Sequence, residues 1–178
     1  MKKLFFAGIA VLCLFAFSAF AQKAPNFSGT WTLDVSKSKL GDRNNIESQT
    51  LTVSQNGNDL KVDTATKRTA PPAGAPGGGG GGRMGGGMGG DGTATYSLDG
   101  KEVKTDMQSQ MGTMTMTTTA KVDGGKLVIT RSFNTPNGAR TTTDTWELSG
   151  DSKTLTVTTQ RPNRDGGTDT TTKVYTKS

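Results

Sequence analysis

The segment QTLTVSQNGNDLKVDTATKR, residues 49–68, carries two runs of alternating apolar and polar residues on either side of Asn56-Gly57. Alternation with a period of two indicates a half-buried strand, and Asn-Gly between two such runs is typical of a two-residue hairpin turn. The segment therefore predicts an antiparallel β-hairpin with one apolar face. The residues on that face are Leu51, Val53, Leu60 and Val62.

Comparable runs, separated by turn residues, follow one another along most of the chain. The first is GTWTLDV, in which Trp31, Leu33 and Val35 alternate with polar residues. The pattern gives about ten short strands and no amphipathic helix. Further turns are predicted at Asp99-Gly100, Asp123-Gly124-Gly125, Pro136-Asn137-Gly138, Gly150-Asp151 and residues 161–167.

Consecutive hairpins form an antiparallel meander, and an open meander leaves two exposed edges that invite aggregation. Closure of the sheet removes both edges. We therefore predict an all-β fold, an antiparallel up-and-down meander closed into a barrel of about ten strands by pairing of the first and last strands. A two-sheet sandwich is the structural alternative.

The glycine-rich run PPAGAPGGGGGGRMGGGMGGDG, residues 71–92, interrupts this pattern. A phosphate-binding loop would need a helix after its glycines, whereas the segment TATYSLDG that follows reads as a strand. Ordering such a run costs about 1–2 kcal/mol per residue in backbone entropy, with almost no burial in return. We therefore predict a disordered loop at about residues 70–92, inside a single domain that spans residues 22–178.

The first 21 residues have the pattern of a secretory leader. Two lysines precede an apolar run over residues 4–17, and Ala19-Phe20-Ala21 provides a small-x-small cleavage site. The apolar run is shorter than the roughly 20 residues that a membrane span needs. A cleaved signal peptide over residues 1–21, no membrane span after cleavage, and a periplasmic or secreted protein are therefore predicted. A retained membrane anchor and a lipid anchor on Cys13 are the alternatives.

Residue content excludes several classes of chemistry. The chain has one cysteine, which lies in the leader, and no histidine, so disulfides, thiol catalysis, Ser–His triads and His- or Cys-ligated zinc are excluded. We expect no catalytic residues, no metal site and no cofactor, with an Asp/Glu acid–base pair as the enzymatic alternative. The net charge of +6 falls to +4 without the leader, which carries two lysines and no acidic residue. Because the charges are interspersed, they favour solubility over nucleic-acid binding.

Segments from both ends of the mature chain resemble the intracellular lipid-binding branch of the calycin superfamily, the fatty-acid-binding-protein and lipocalin-like β-barrels. FSGTWTLDVSKS is similar to that family's opening strand, in which Gly29-x-Trp31-x-Leu33 places Trp31 at the closed end of the barrel. The resemblance implies a barrel with a cavity for a small ligand. The segments similar to its last four strands are VDGGKLVITRSF, TWELSGDSKTLTVTTQ and TTKVYTKS.

Two departures from the family are visible. The segment SKSKLGDRNNIES, residues 36–48, is too short for the two helices that cover the barrel mouth in the family. The mouth is therefore expected to be uncapped, or covered by the glycine-rich loop. The family is mostly cytoplasmic, whereas this chain carries a leader, which indicates an exported, bacterial relative.

The family's carboxylate site is only half present. In the family, one arginine precedes an E-L pair and another belongs to an R-x-Y motif near the C-terminus. This sequence has Trp146 before Glu147-Leu148, and Lys173-Val174-Tyr175 in place of the second motif. A lysine supplies a point charge without the bidentate geometry of arginine.

The alternation predicts a substitute for the missing arginine. Arg131 is in phase with the apolar residue Ile129, and Asp144 is in phase with Trp146. Across a hairpin, Arg131 and Asp144 become diagonal neighbours within reach of each other. The predicted site is a polar cluster in an apolar cavity, with a purely structural ion pair and a register shift into solvent as alternatives. The predicted ligand-binding residues are Arg131, Asp144, Trp146, Lys173 and Tyr175.

The sequence as a whole predicts a non-enzymatic, exported, monomeric protein that carries a small hydrophobic or amphipathic, lipid-like ligand. The methionines of MQSQMGTMTM, residues 107–116, fit an ordinary core strand and also an adaptable cavity wall. The functional alternative is a structural or interaction module of the cell envelope without a small-molecule ligand.

Overall fold

The structure is a computed structural model that describes residues 25–41, 44–69, 91–109, 112–135, 138–163 and 165–178. The predicted signal peptide and almost all of the predicted glycine-rich loop lie outside these residues. Within them, no helix is long and apolar enough to cross a membrane.

The described residues form ten antiparallel strands in one sheet, in the order β4-β3-β2-β1-β10-β9-β8-β7-β6-β5. The predicted all-β meander is therefore confirmed, and the two-sheet sandwich is excluded. The strands are β1 (Gly29–Leu33), β2 (Ile46–Asn56), β3 (Asp59–Arg68), β4 (Gly92–Ser97), β5 (Val103–Ser109), β6 (Gly112–Asp123), β7 (Lys126–Thr135), β8 (Gly138–Leu148), β9 (Thr154–Pro162) and β10 (Thr168–Lys177).

The first and last strands join the two halves of the sheet, as predicted. In the β1–β10 ladder Trp31 lies opposite Lys177 and Leu33 lies opposite Tyr175. The ladder continues into β2, where Trp31 lies opposite Leu51. The sheet curls around these strands into a half-barrel, so that alternate residues face a shared interior.

The hairpin over residues 49–68 forms as the sequence predicts. Val53 pairs with Val62, and Asn56 pairs with Asp59 across the turn. Gly57 adopts a φ of 58° there, a left-handed conformation that glycine reaches without a Cβ penalty. Its apolar residues join the core, whose members are Phe27, Trp31, Leu33, Leu51, Val53, Leu60, Val62, Tyr96, Ala120, Leu127, Ile129, Trp146, Leu155, Val157 and Tyr175.

The prediction that Val35 continues the first strand is wrong. Strand β1 ends at Leu33, and the side chain of Asp34 accepts a hydrogen bond from the N–H of Lys37, which starts a 3-10 turn over Val35–Lys37. Val35 is 41% exposed in this turn. The described part of the connection to β2 contains this turn and no α-helix, so the cap that covers the family's barrel is missing from those residues.

The predicted hairpin at Asp99-Gly100 is also wrong. The chain does turn there, but β4 and β5 are the two ends of the sheet and do not pair within the described ranges. The turn contacts β6 instead, because the N–H of Gly100 donates to the carbonyl of Ala120 at 3.0 Å and Asp99 forms an isolated bridge with Lys121. The curled sheet therefore has one lateral opening, the seam between β4 and β5, which is bridged at the end near Gly100.

Candidate ligand-binding site

Two polar side chains are fully buried on the inner face of the sheet. Gln49 on β2 is 1% exposed and Asp144 on β8 is 0% exposed. Burial of a polar group is costly unless it is hydrogen-bonded, and burial of a charge requires a partner. Their contacts define an inner polar cluster, consisting of Gln49, Thr66, Tyr96, Arg131, Asp144, Thr159, Lys173 and Tyr175.

Asp144 anchors one half of this cluster. Nη2 of Arg131 donates to its Oδ2, and Oγ1 of Thr159 donates to its Oδ1 at 2.6 Å. Arg131 is 11% exposed, and its Nη1 donates to the hydroxyl of Tyr96 at 3.3 Å. In the β7–β8 ladder Ile129 lies directly opposite Asp144, so Arg131 is its diagonal neighbour. The predicted proximity of Arg131 and Asp144 is confirmed, and the alternative of a register shift into solvent is wrong.

Gln49 organises the other half. Its Oε1 accepts hydrogen bonds from Nζ of Lys173 at 2.9 Å and from the hydroxyl of Tyr175 at 2.7 Å. Its Nε2 donates to Oγ1 of Thr66 at 2.8 Å. The Gln49 side chain on β2 therefore accepts hydrogen bonds from both predicted site residues of β10, Lys173 and Tyr175, and it also donates to Thr66 on β3.

Burial shifts the pKa values of this cluster away from the charged forms. Burial lowers the pKa of Lys173 to about 8, with a further lowering from Arg68, while the charge of Asp144 acts in the opposite direction. Burial also raises the pKa of Tyr175, and Asp144 adds to that effect. The pKa of Tyr96 is raised by burial as well. The cluster combines two basic side chains, Arg131 and Lys173, with one acidic side chain, Asp144.

The lowered pKa of Lys173 predicts a rise in stability with pH. Between pH 8 and the ordinary lysine value of 10.5, the unfolded chain binds more protons than the folded one, so the free energy of unfolding increases. The raised pKa of Tyr175 acts in the opposite direction only above its ordinary value of 10.0. Urea unfolding at steps from pH 7.5 to 9.5 should show this rise in the wild type and its loss in Lys173→Met. The exposed Lys153→Met is the control, and an equal rise in all three proteins would contradict the assignment.

A pocket of about 330 Å³ lies at the seam between β4 and the β5–β6 hairpin. Arg131 lines it, so this residue belongs both to the pocket and to the inner polar cluster. Val103 lies on its β5 side and is 50% exposed. Its lining residues are Thr93, Ala94, Thr95, Tyr96, Ser97, Lys101, Val103, Thr105, Met116, Thr118, Ala120 and Arg131.

The predicted site residues divide into three groups. Arg131 and Asp144 form the buried ion pair, and Lys173 and Tyr175 share Gln49. Trp146 is 0% exposed and packs edge-on against Phe27, with ring centroids 5.8 Å apart, which places it in the core. A contact of any of these residues with a ligand stays a prediction.

Sequence reasoning missed Gln49 and Tyr96, of which only Gln49 carries a usable signal. Gln49 is in phase with Leu51 and Val53, which marks an inward polar residue on a hairpin strand. Tyr96 belongs to no recognisable motif, because its position at the seam depends on contacts between strands that are distant in the sequence. Of the methionines, Met116 lines the pocket, so the alternative of a cavity wall applies to this residue.

Within the described residues, no group of three or more His, Cys, Asp or Glu side chains could hold a metal ion. The inner polar cluster contains one carboxylate, and that carboxylate already accepts from Arg131 and Thr159. The N–H and O–H groups of Arg131, Lys173 and Tyr175 are hydrogen-bond donors, the kind of group that a polar or anionic molecule accepts from.

Comparison with solved structures places this curled sheet in the calycin-like fold of the fatty-acid-binding proteins. The chain is similar to a Schistosoma mansoni fatty acid binding protein in complex with arachidonic acid, with 15% identity, a TM-score of 0.50, and coverage of 85% of this chain and 96% of that one. It is also similar to apo lipid binding protein 8 of Caenorhabditis elegans, with 12% identity, a TM-score of 0.50, and coverage of 85% and 95%.

A third similar structure is a secretory abundant heat soluble protein from Ramazzottius varieornatus, with 13% identity, a TM-score of 0.51, and coverage of 85% of this chain and 94% of that one. No protein-family model matches the sequence, and no curated protein matches it significantly. At these identities the likeness defines the class of fold, a fatty-acid-binding-protein-like half-barrel, and the predicted resemblance is confirmed at that level.

Proposed function

We propose that this protein is a non-enzymatic, exported binding protein for a small amphipathic molecule with an anionic head. The observation that carries the proposal is the inner polar cluster, in which Arg131 pairs with Asp144 and Lys173 donates to Gln49 beside the apolar core of the sheet. A few convergent polar groups on an apolar wall orient a polar ligand head. The proposed export to the periplasm or the exterior rests on residues 1–21, which have the pattern of a secretory signal peptide.

Electrostatics selects the sign of the head group. The inner polar cluster brings two basic side chains, Arg131 and Lys173, close to one acidic side chain, Asp144. In a partly desolvated site, an anionic head group that approaches these basic side chains gains more than it would in water. Two named neighbours support the ligand class, since one is in complex with arachidonic acid and the other is called a lipid binding protein.

Binding of an anionic apolar probe tests this function. The mature chain, residues 22–178, is titrated with 1-anilinonaphthalene-8-sulfonate and examined by native mass spectrometry after gentle purification. We expect saturable binding at one site. Lys173→Met should weaken it about tenfold, since a hydrogen bond to a charged group contributes about 1.5–3 kcal/mol.

The control variant is Lys153→Met, which removes an exposed lysine of the same charge and should leave the affinity unchanged. A clean ligand-free mass together with no saturable probe binding would overturn the proposal and favour an interaction module. Equal losses in both lysine variants would show that the probe senses net charge and not the inner cluster.

A further inference from the structure

The seam between β4 and β5 is the part of the sheet that the strand order leaves open. Both strands are hydrogen-bonded on one side only, β4 to β3 and β5 to β6. The bridge from Asp99 to Lys121 holds the two sides together at one end. Between the strands lies the pocket of about 330 Å³, which therefore opens through the wall of the half-barrel.

Arg131 connects this lateral pocket to the buried interior. It lines the pocket, pairs with the fully buried Asp144, and donates to the hydroxyl of Tyr96, which lines the pocket too. These two contacts use two of the five N–H donors that a guanidinium carries. The fork geometry of the group suits a carboxylate or another planar anion.

The rest of the lining supplies an apolar surface of limited length. Ala94 and Ala120 stand on opposite sides of the seam, with Met116 beside them and Val103 at the exposed rim. Methionine adapts to varied apolar shapes. The volume lies at the lower end of the roughly 300–1,000 Å³ that is typical of ligand pockets, which favours a short amphiphile over a long-chain lipid.

We propose that short-chain anionic amphiphiles enter sideways through the seam between β4 and β5, bind their head group to Arg131 and Tyr96, and lay their chain against Ala94, Val103 and Met116. The inference rests on the proposed function and adds the route, the orientation and the chain length of the ligand. Charge complementarity supports this occupant, since two basic residues, Arg131 and Lys101, and no acidic residue line the pocket. Each of the two also pairs with an aspartate outside the lining, Asp144 and Asp99 respectively.

Two matched substitutions, each of which adds a negative charge, test the route of ligand entry. Val103 and Val35 are the two exposed large apolar residues of the described chain, at 50% and 41% exposure, and only Val103 lines the pocket. Octanoate is the probe, and 1-octanol is its uncharged counterpart. Val103→Glu should weaken octanoate binding about threefold or more and slow its association at low salt, because like charge at a rim opposes an incoming anion. Val35→Glu should leave octanoate unaffected, and octanol should respond little to either variant.

Two matched substitutions, each of which adds an aromatic ring, test the location of the binding site. Ala94→Phe places a ring in the pocket from β4 and should weaken both octanoate and octanol at least tenfold. Ala65→Phe makes the same substitution at an exposed position of the neighbouring strand β3, outside the pocket, and should have little effect. Circular dichroism and urea unfolding establish that both variants are folded.

The outcomes separate the two proposals. If the wild type binds octanoate but Val103→Glu and Ala94→Phe behave like their controls, entry and binding at the seam are overturned. The proposed binding function is unaffected by that result. Wild-type protein that binds neither octanoate nor the naphthalene sulfonate would overturn both. Tighter binding of palmitate than of octanoate, with no effect of Ala94→Phe, would assign the ligand to the strand-end mouth and contradict the inference.

Discussion

Replacement of Asp144 with alanine is expected to lower the free energy of unfolding by about 3–5 kcal/mol, because it leaves Arg131 buried without its carboxylate. Asp144 is 0% exposed and Arg131 is 11% exposed, so both members of the pair are largely removed from water. The hydroxyl of Thr159 loses its acceptor as well. A typical domain has only about 5–15 kcal/mol of stability, so the variant should be visibly unstable at 37 °C.

Glu147→Ala is the matched control for Asp144→Ala on the same strand. Glu147 pairs with Lys126 at 2.8 Å, but the two side chains are 54% and 46% exposed, and such surface pairs contribute about 0–1 kcal/mol. Urea unfolding of both variants measures the difference. The double variant Arg131→Met/Asp144→Leu should recover most of the loss, because removal of both charges avoids a lone buried ion. Equal losses from Asp144→Ala and Glu147→Ala would contradict the burial argument.

The Arg131–Asp144 pair could be predicted because it depends on local periodicity and one hairpin. Alternation fixed which face each residue occupies, and the short connection between β7 and β8 fixed the register, so that Arg131 and Asp144 had to be diagonal neighbours. The pairing of β1 with β10 followed from the need to cover two sheet edges. The first inference rests on periodicity within two neighbouring strands, and the second rests on the general tendency of a meander to cover its edges.

The seam could not be predicted in the same way. Asp99-Gly100 has the chemistry of a hairpin turn, and the strands on either side alternate, yet the turn bonds to β6 and leaves β4 and β5 unpaired. Which neighbour a strand selects depends on how far the whole sheet has curled by that point, a sum over many small twists. The pocket, and Tyr96 with it, therefore became visible only in the three-dimensional arrangement.

The two tryptophans give a matched comparison of a buried N–H with and without a partner. Both are 0% exposed. Nε1 of Trp31 donates to the carbonyl of Phe27 at 2.9 Å, whereas Nε1 of Trp146 has no hydrogen-bond partner within the described residues. Replacement by phenylalanine removes the same ring volume from each. An unsatisfied buried polar group costs about 1–3 kcal/mol, so Trp31→Phe breaks a satisfied bond while Trp146→Phe removes an existing penalty.

We therefore expect Trp31→Phe to destabilise the protein by about 1–3 kcal/mol more than Trp146→Phe does. Each variant keeps one tryptophan of the two in the chain, so its fluorescence follows urea unfolding from a single position. Circular dichroism of the same samples checks that the transition is cooperative. Trp146→Ala should cost about 3–5 kcal/mol, because it also removes the edge-on packing against Phe27 and leaves a cavity. A Trp146→Phe loss as large as that of Trp31→Phe would mean that the Trp146 N–H has a partner in solution, such as a buried water or a ligand.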